Sequence, residues 1–341
     1  MLDDRKKRIL QAIIEEYIGS AEPVSSANIM KNYGINFSSA TIRNEMNNLE
    51  KIGFLEKPHT SAGRVPSAKG YRFYVDELLK DNLLSFDEVA YIRNRLQTKV
   101  NEIEELTKIA TNTLSEITHY TSIATGPKTE THAIQDIKFV LLGTRVLMAV
   151  ILTDTGMIKE SIIKFDSDIT QLQVENLNII FNNKLRGKSL GQIDLPMEEF
   201  IISEMNCELK IIKPILQEMN KVINDSKNIY LEGKDRVFDF PEFNNVDTAK
   251  NVLKILDTKE LVYDILENGT TQYINVYIGS ENEFDELKNL SIITLKNTFE
   301  DKDLGTIGII GPTRMDYSKV ISVMKYIQKV LNEKWNKMDN M

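Results

Sequence analysis

The residues of this sequence best suited to chemistry lie between Ser38 and Arg64, and they are amides, hydroxyls and guanidiniums rather than nucleophiles or metal ligands. From Ser38 to about Ile52 the spacing predicts a helix, with Ser38 or Ser39 as its cap and Gly53 as its stop. At about 100° per residue, Ile42, Met46 and Leu49 share one side and must face a core. Ala40, Asn44, Asn47 and Lys51 lie opposite, flanked by Thr41, Arg43 and Asn48. Arginine can donate twice to guanine O6 and N7, asparagine can bond adenine at N6 and N7, and the methyls of Ala and Thr can pack on that of thymine. Ser38 and Ser39, beside the free N–H groups of a helix start, suit a phosphate. A merely solvated face would more cheaply use Glu and Lys, which are better helix formers than Asn.

Such a helix needs neighbours to hold it. Ile9, Ile13 and Tyr17, with Leu10 and Ile14 beside them, predict a first helix ending near Gly19. Pro23 then turns the chain, Ser25 or Ser26 can cap a second helix reaching Tyr33, and Gly34 suits the position after its end. Two helices joined by a short glycine-containing turn form a helix-turn-helix, which makes the helix from Ser38 the recognition element. Beyond it, Phe54-Leu55 and Arg64-Val65 predict a two-stranded wing with a small tip from Thr60 to Gly63. Lys57, His59, Thr60, Ser61 and Arg64 on that wing could grip phosphate or enter a minor groove. His119 and His132 are far from His59 in sequence and no Cys/His cluster exists, so no metal is expected.

The chain has 341 residues, enough for two or three domains. No run approaches the roughly 18 apolar residues of a membrane span, and the first residues lack the pattern of a signal peptide. With Cys207 its single cysteine, a cytoplasmic setting without a membrane partner is expected. The net charge of −8 is uneven: +2 through Lys80 and −10 beyond it. A mildly basic head on an acidic body fits a small DNA-reading module attached to a larger regulatory part.

In the remainder, Phe86 to Thr118 has one long helical pattern. Its seven-residue spacing of Val89, Leu96, Ile103, Ala110 and Ile117 leaves two readings open, a coiled-coil seam or a connector packed on its own body. Strand-like runs at 137–142, 146–152 and 157–165 predict a meander, and 166–227 reads as helical. Further strands are expected at 229–231, 273–278, 290–295 and 306–310, before a last helix from Tyr317 to Trp335. The fold class expected is α+β multidomain, with residues 1–80 as the winged helix and 81–120 as a connecting long helix. The body is expected at 121–165 and 228–341, interrupted by a helical insertion at 166–227.

Gly305-Thr306-Ile307-Gly308-Ile309-Ile310-Gly311-Pro312 lacks the Lys-Ser/Thr of a nucleotide loop, so a strand ending in a turn is expected there. Cys207 reads as a small apolar group in a helical pattern, and no catalytic triad or carboxylate pair stands out. Neither an enzyme nor a bound cofactor is expected.

The runs Ser38-Ser39-Ala40-Thr41-Ile42-Arg43-Asn44-Glu45-Met46, Pro58-His59-Thr60-Ser61-Ala62-Gly63-Arg64 and Gly70-Tyr71-Arg72-Phe73-Tyr74-Val75-Asp76 closely resemble the HrcA family of bacterial heat-inducible transcription repressors. Two small departures are Ser25, where that family often has glycine, and Ser67, where threonine is usual. The resemblance implies a winged-helix head, a GAF-like α+β domain and a dimerising domain inserted into it. It also implies repression of chaperone operons through an inverted-repeat operator on double-stranded DNA, with a GroEL-type chaperonin as modulating partner. A homodimer would place two recognition helices in successive major grooves. The second reading is a regulator gated by a small molecule held in the GAF-like domain, since folds of that kind often bind one; fold analogy alone does not establish a ligand.

Overall fold

Three helices open the chain: α1 (Asp4–Ser20), α2 (Ser26–Asn32) and α3 (Ser39–Lys51). Their apolar faces meet. Ile9, Leu10, Ile13 and Ile14 of α1, Ile29 of α2, and Ile42, Met46 and Leu49 of α3 are all buried in one cluster. Gly34 takes φ +56° just beyond α2, the left-handed conformation its position requires. Strands β1 (Leu55–Glu56) and β2 (Val65–Pro66) pair antiparallel as the wing, and α4 (Ala68–Phe73) follows. The computed structural model describes all residues except 1, 35–36, 59–62, 80–81, 98–102, 128–131, 155, 157, 190–208, 225–227, 244–245, 268–272, 300–301 and 340–341. Cys207 and residues 59–62 of the wing therefore lie outside the described residues.

The pattern expected to form one long helix instead builds two, α5 (Phe86–Leu96) and α6 (Ile103–Thr118). The Tyr91 hydroxyl donates to Glu116 and the Arg95 guanidinium to Asn112, so the two helices run antiparallel. A continuous helix over that span would reach about 50 Å and carry half its apolar stripe away from the molecule. Folding back buries both halves, with Ile92, Leu96, Ile103, Leu106, Ala110 and Leu114 in the same cluster as the last helix. Packing on the body is the outcome, not a coiled-coil seam.

After β3 (Thr121–Thr125) the chain builds a separate antiparallel sheet of β4 (Ile134–Gly143), β5 (Val146–Thr153) and β6 (Ile158–Lys164). Helices α7 (Gln171–Leu185) and α8 (Leu209–Asn224) cover one face of it. The meander expected at 134–165 is present, but its assignment to the body is corrected. Ile137, Phe139, Leu147, Ile151 and Ile163 share a core with Phe181, Ile211, Ile215 and Met219, so a boundary at residue 166 would cut through one hydrophobic cluster. The unit begins near Ile134 and runs to Asn224. Two α7 amides bind it to β4: Asn178 accepts from Phe139 N at 2.7 Å and Asn182 from Ile137 N at 3.0 Å, each also donating back to that residue's carbonyl. These bonds satisfy the backbone groups of Ile137 and Phe139 on the edge of β4.

The chain then returns as β7 (Ile229–Glu232), α9 (Val246–Asp257), α10 (Lys259–Glu267), β8 (Ile274–Ile278), β9 (Leu290–Phe299), β10 (Lys302–Pro312) and α11 (Tyr317–Asp339). The body sheet is antiparallel in the order β7-β3-β10-β9-β8, and Gly305 to Pro312 lie within a strand as expected. One face, with Ile293, Leu295, Ile307 and Ile309, meets α6 and α11; the other, with Ile123, Ile292 and Ile310, meets α9 and α10.

Head and body are not separate cores. The cluster that starts at Ile9 continues through Tyr71 and Tyr74 to Tyr317 and Trp335. The Tyr71 and Tyr317 rings lie 5.9 Å apart, and burial holds both phenols above their ordinary pKa. Arg72 of α4 donates through Nε to Glu281 at 2.9 Å and through Nη2 to the Val276 carbonyl, and Arg314 donates to the Ile18 carbonyl at 3.2 Å.

Candidate nucleic-acid interface

Ser38 caps the recognition helix: its Oγ accepts from Thr41 N at 3.1 Å and lies 2.9 Å from Thr41 Oγ1. The Ser39 hydroxyl lies 3.0 Å from that of Ser26, which fixes α3 against α2. With Ile42, Met46 and Leu49 held inside, Ser38, Ala40, Arg43, Asn44, Asn48 and Lys51 are exposed, and Ser39, Thr41 and Asn47 are half-buried. The face expected to read bases is therefore turned outward, and Lys57 at the foot of the wing is exposed as well. His59, Thr60 and Ser61 lie outside the described residues.

Arg64 differs from the expectation of an outward grip. Its Nε donates to Glu50 Oε2 at 2.7 Å and its Nη2 to Asn47 Oδ1 at 2.8 Å, leaving the side chain 14% exposed. Its backbone exchanges two hydrogen bonds of 2.9 Å with Val24, just before α2. Gly63 beside it is so close to that segment that a Cβ would sit 2.3 Å from Val24 O, which only glycine avoids. The wing is thus joined to α2 through backbone and to α3 through a guanidinium.

The opposite flank of α3 carries residues the periodicity did not single out. Arg5 and Lys6 at the start of α1 lie 3.7 Å and 3.5 Å from the Glu45 carboxylate, and the Arg5 guanidinium sits 4.9 Å from the Phe37 ring centre. The side-chain bond from Lys6 holds the Asp3 carboxyl below its ordinary pKa and raises that of Lys6 in turn. The run Arg5-Lys6-Lys7-Arg8 was the available signal, diluted by Asp3 and Asp4. Both departures from the family pattern do local work: Ser25 Oγ accepts from Asn28 N to cap α2, and Ser67 Oγ accepts from Gly70 N to cap α4. Among the described residues no group of three His, Cys, Asp or Glu side chains is placed to hold a metal ion, and no helix is long and apolar enough to cross a membrane.

A family model described as the DNA-binding winged helix-turn-helix of the HrcA transcription repressor matches residues 1–77, and another, described as the HrcA protein C-terminal domain, matches residues 104–321. The chain belongs to the HrcA family. The heat-inducible transcription repressor HrcA of Acetivibrio thermocellus is 40% identical over 336 residues, covering 97% of this chain and 96% of that one. Its namesake from Ruminiclostridium cellulolyticum is 40% identical over 340 residues, covering 98% and 97%. A crystal structure of a hypothetical protein at 2.2 Å resolution has the same fold, with a TM-score of 0.68 and 23% identity over 99% of both chains. This HrcA chain is accordingly a heat-inducible transcription repressor with a DNA-binding winged helix, and its relatives are regulators rather than enzymes.

Proposed function

We propose that the chain binds an inverted-repeat operator as a two-fold dimer, represses chaperone operons from it, and regains its active form with help from a GroEL-type chaperonin in the cytoplasm. The observation that carries the operator reading is the outward set Ala40, Arg43, Asn44 and Asn48 on a capped helix, flanked by a wing. A gel shift against an inverted-repeat chaperone promoter and a scrambled duplex, at low and high salt, tests it. Equal binding to both duplexes rejects the reading.

The dimer reading rests on the unit from Ile134 to Asn224. The face of its sheet turned away from α7 and α8 carries Leu142, Ile158 and Ile162, 54%, 57% and 59% exposed, with Val140, Met148 and Ile162 in register across its three strands. Such a face suits a matching copy of itself about a two-fold axis. The small-molecule reading has less support: the cavity beside Tyr277, Asn282 and Phe284 holds about 40 Å³, against the roughly 300–1,000 Å³ of a small-molecule site. The body sheet with helices on both faces supports the GAF-like reading as scaffold. For the chaperonin, the prediction is that incubation with it raises the operator-binding fraction of partly unfolded repressor, and no gain rejects that part.

A further inference from the structure

Glu50, Arg64 and Asn47 form a chain of three polar side chains at the edge of the reading face, and the chemistry of its middle member fixes the orientation of the last. An arginine side chain only donates. The Asn47 atom 2.8 Å from Arg64 Nη2 must therefore be the carbonyl oxygen, which settles which way the amide points. Its Nδ2 then lies on the other branch, and among the described residues it meets no acceptor. On the helix Asn47 stands between Arg43 and Asn44 in angle, within the outward face, and is half-buried.

We propose that Glu50 and Arg64 are positioning residues that hold Asn47 as a hydrogen-bond donor toward the major groove, and so set its base preference. This inference rests on the operator reading above. Guanine N7 and O6, adenine N7 and thymine O4 all accept in that groove, whereas cytosine presents an amino group. An amide held donor-outward discriminates against cytosine at one position of each half-site, and gives up the two-bond adenine contact open to a freely turning asparagine. The arrangement also accounts for a carboxylate on a recognition helix. Glu50 unpaired would repel the phosphates, but it stands 2.7 Å from Arg64 Nε and anchors a guanidinium whose backbone is already tied to Val24. Arg64, occupied at Nε and Nη2, is a strut between wing and helix.

The test measures relative affinities of the full-length protein for operators carrying each of the four bases at each half-site position, together with the slope of log affinity against log salt. Arg64→Met frees the amide. It is expected to lose about tenfold discrimination against cytosine at one position, the scale of one base contact, with the salt slope unchanged. Glu50→Gln is expected to give a partial loss at the same position. Asn47→Asp keeps the partner for Arg64 but turns an acceptor outward, so it should reverse the order there and favour cytosine; it remains informative if Arg64→Met fails to fold. A salt slope lower by about one with base preference intact would make Arg64 a phosphate contact and overturn the proposal. So would an Asn47→Asp protein with the wild-type base order. Wild-type protein that prefers no operator over scrambled DNA removes the operator reading and this inference with it, a result distinct from either of those.

Discussion

Breaking the ion pair between Arg72 and Glu281 is expected to loosen the hold of the body on the reading head. Arg72 belongs to α4, directly after the wing, and Glu281 follows β8 in the body sheet. The guanidinium meets both carboxylate oxygens and the Val276 carbonyl, and the two side chains are 30% and 34% exposed. A fully exposed pair would contribute about 0–1 kcal/mol, and removing one partner of a buried pair costs about 3–5 kcal/mol. This pair lies between those limits. Glu281 keeps a second bond, from Ile278 N at 2.9 Å, when Arg72 is removed, so the lower half of the range applies. A double-mutant cycle of Arg72→Met and Glu281→Gln should therefore give a coupling of about 1–2 kcal/mol. Urea unfolding followed by Trp335 fluorescence measures it, because that residue is the single tryptophan and is buried at the far end of the shared cluster. Operator affinity should fall in the same variants, and tolerance for altered half-site spacing should widen. A coupling below about 0.3 kcal/mol, within the usual error of additivity, would refute the lock. A Trp335 transition unmoved by Arg72→Met while operator binding falls would show head and body melting separately, contrary to one core.

Asn44→Ala should cost about 1–3 kcal/mol of operator binding and relax preference at one base position, with the melting temperature unchanged because the side chain is exposed; competition gel shifts and a thermal melt check both halves. Lys57→Ala should weaken operator and random DNA alike and lower the salt slope by about one in a titration across ionic strength. Ser38→Ala removes the cap of α3 and should lower stability by about 1 kcal/mol in chemical denaturation, with operator affinity falling by at least as much. Ile162→Lys places a charge on the exposed sheet face and should shift the proposed dimer to monomer in sedimentation velocity, leaving the Trp335 unfolding midpoint near wild type.

The head was legible because its signals are local. Ser38, Gly34 and the spacing of Ile42, Met46 and Leu49 each constrain only the residues within a turn or two, and caps and apolar stripes act at that range. The strands of the body announced themselves by β-branched runs for the same reason. What failed was direction and partnership. A seven-residue stripe from Val89 to Ile117 looks the same whether the helix continues or doubles back, and Gln97 gives no glycine or proline to mark its end. The meander at 134–164 follows β3 across Gly126-Pro127 and a short polar run, a break that marks a loop but says nothing of a change of sheet. Its separate sheet depends on Phe181 and Ile215 reaching back to Phe139 and Ile163, contacts no local pattern encodes. Helices α9 and α10 are short, and their apolar faces were hidden between strand signals. From sequence, Arg64 reads as a phosphate or minor-groove contact because it lies on the wing beside the recognition helix. Glu50, fourteen residues earlier on another element, turns it inward.

The continuous cluster from Ile9 to Trp335 bears on how a repressor of this family responds to heat. A domain's net stability is only about 5–15 kcal/mol, so a modest rise in temperature measurably depletes the folded state. In a head tethered by a flexible linker, three small helices and a wing would keep reading DNA while the body melted. Here Tyr71 and Tyr74 of the head are buried with Tyr317 and Met324 of the body, so loosening the body uncovers the head's own core. For the proposed dimer on two half-sites, occupancy would suffer twice. Each head would lose the support that orients α3, and the pair would lose the fixed separation that makes the second contact intramolecular. No single thermosensing side chain is then required: sensitivity to heat follows from making the reading helix depend on packing that extends to the other end of the molecule.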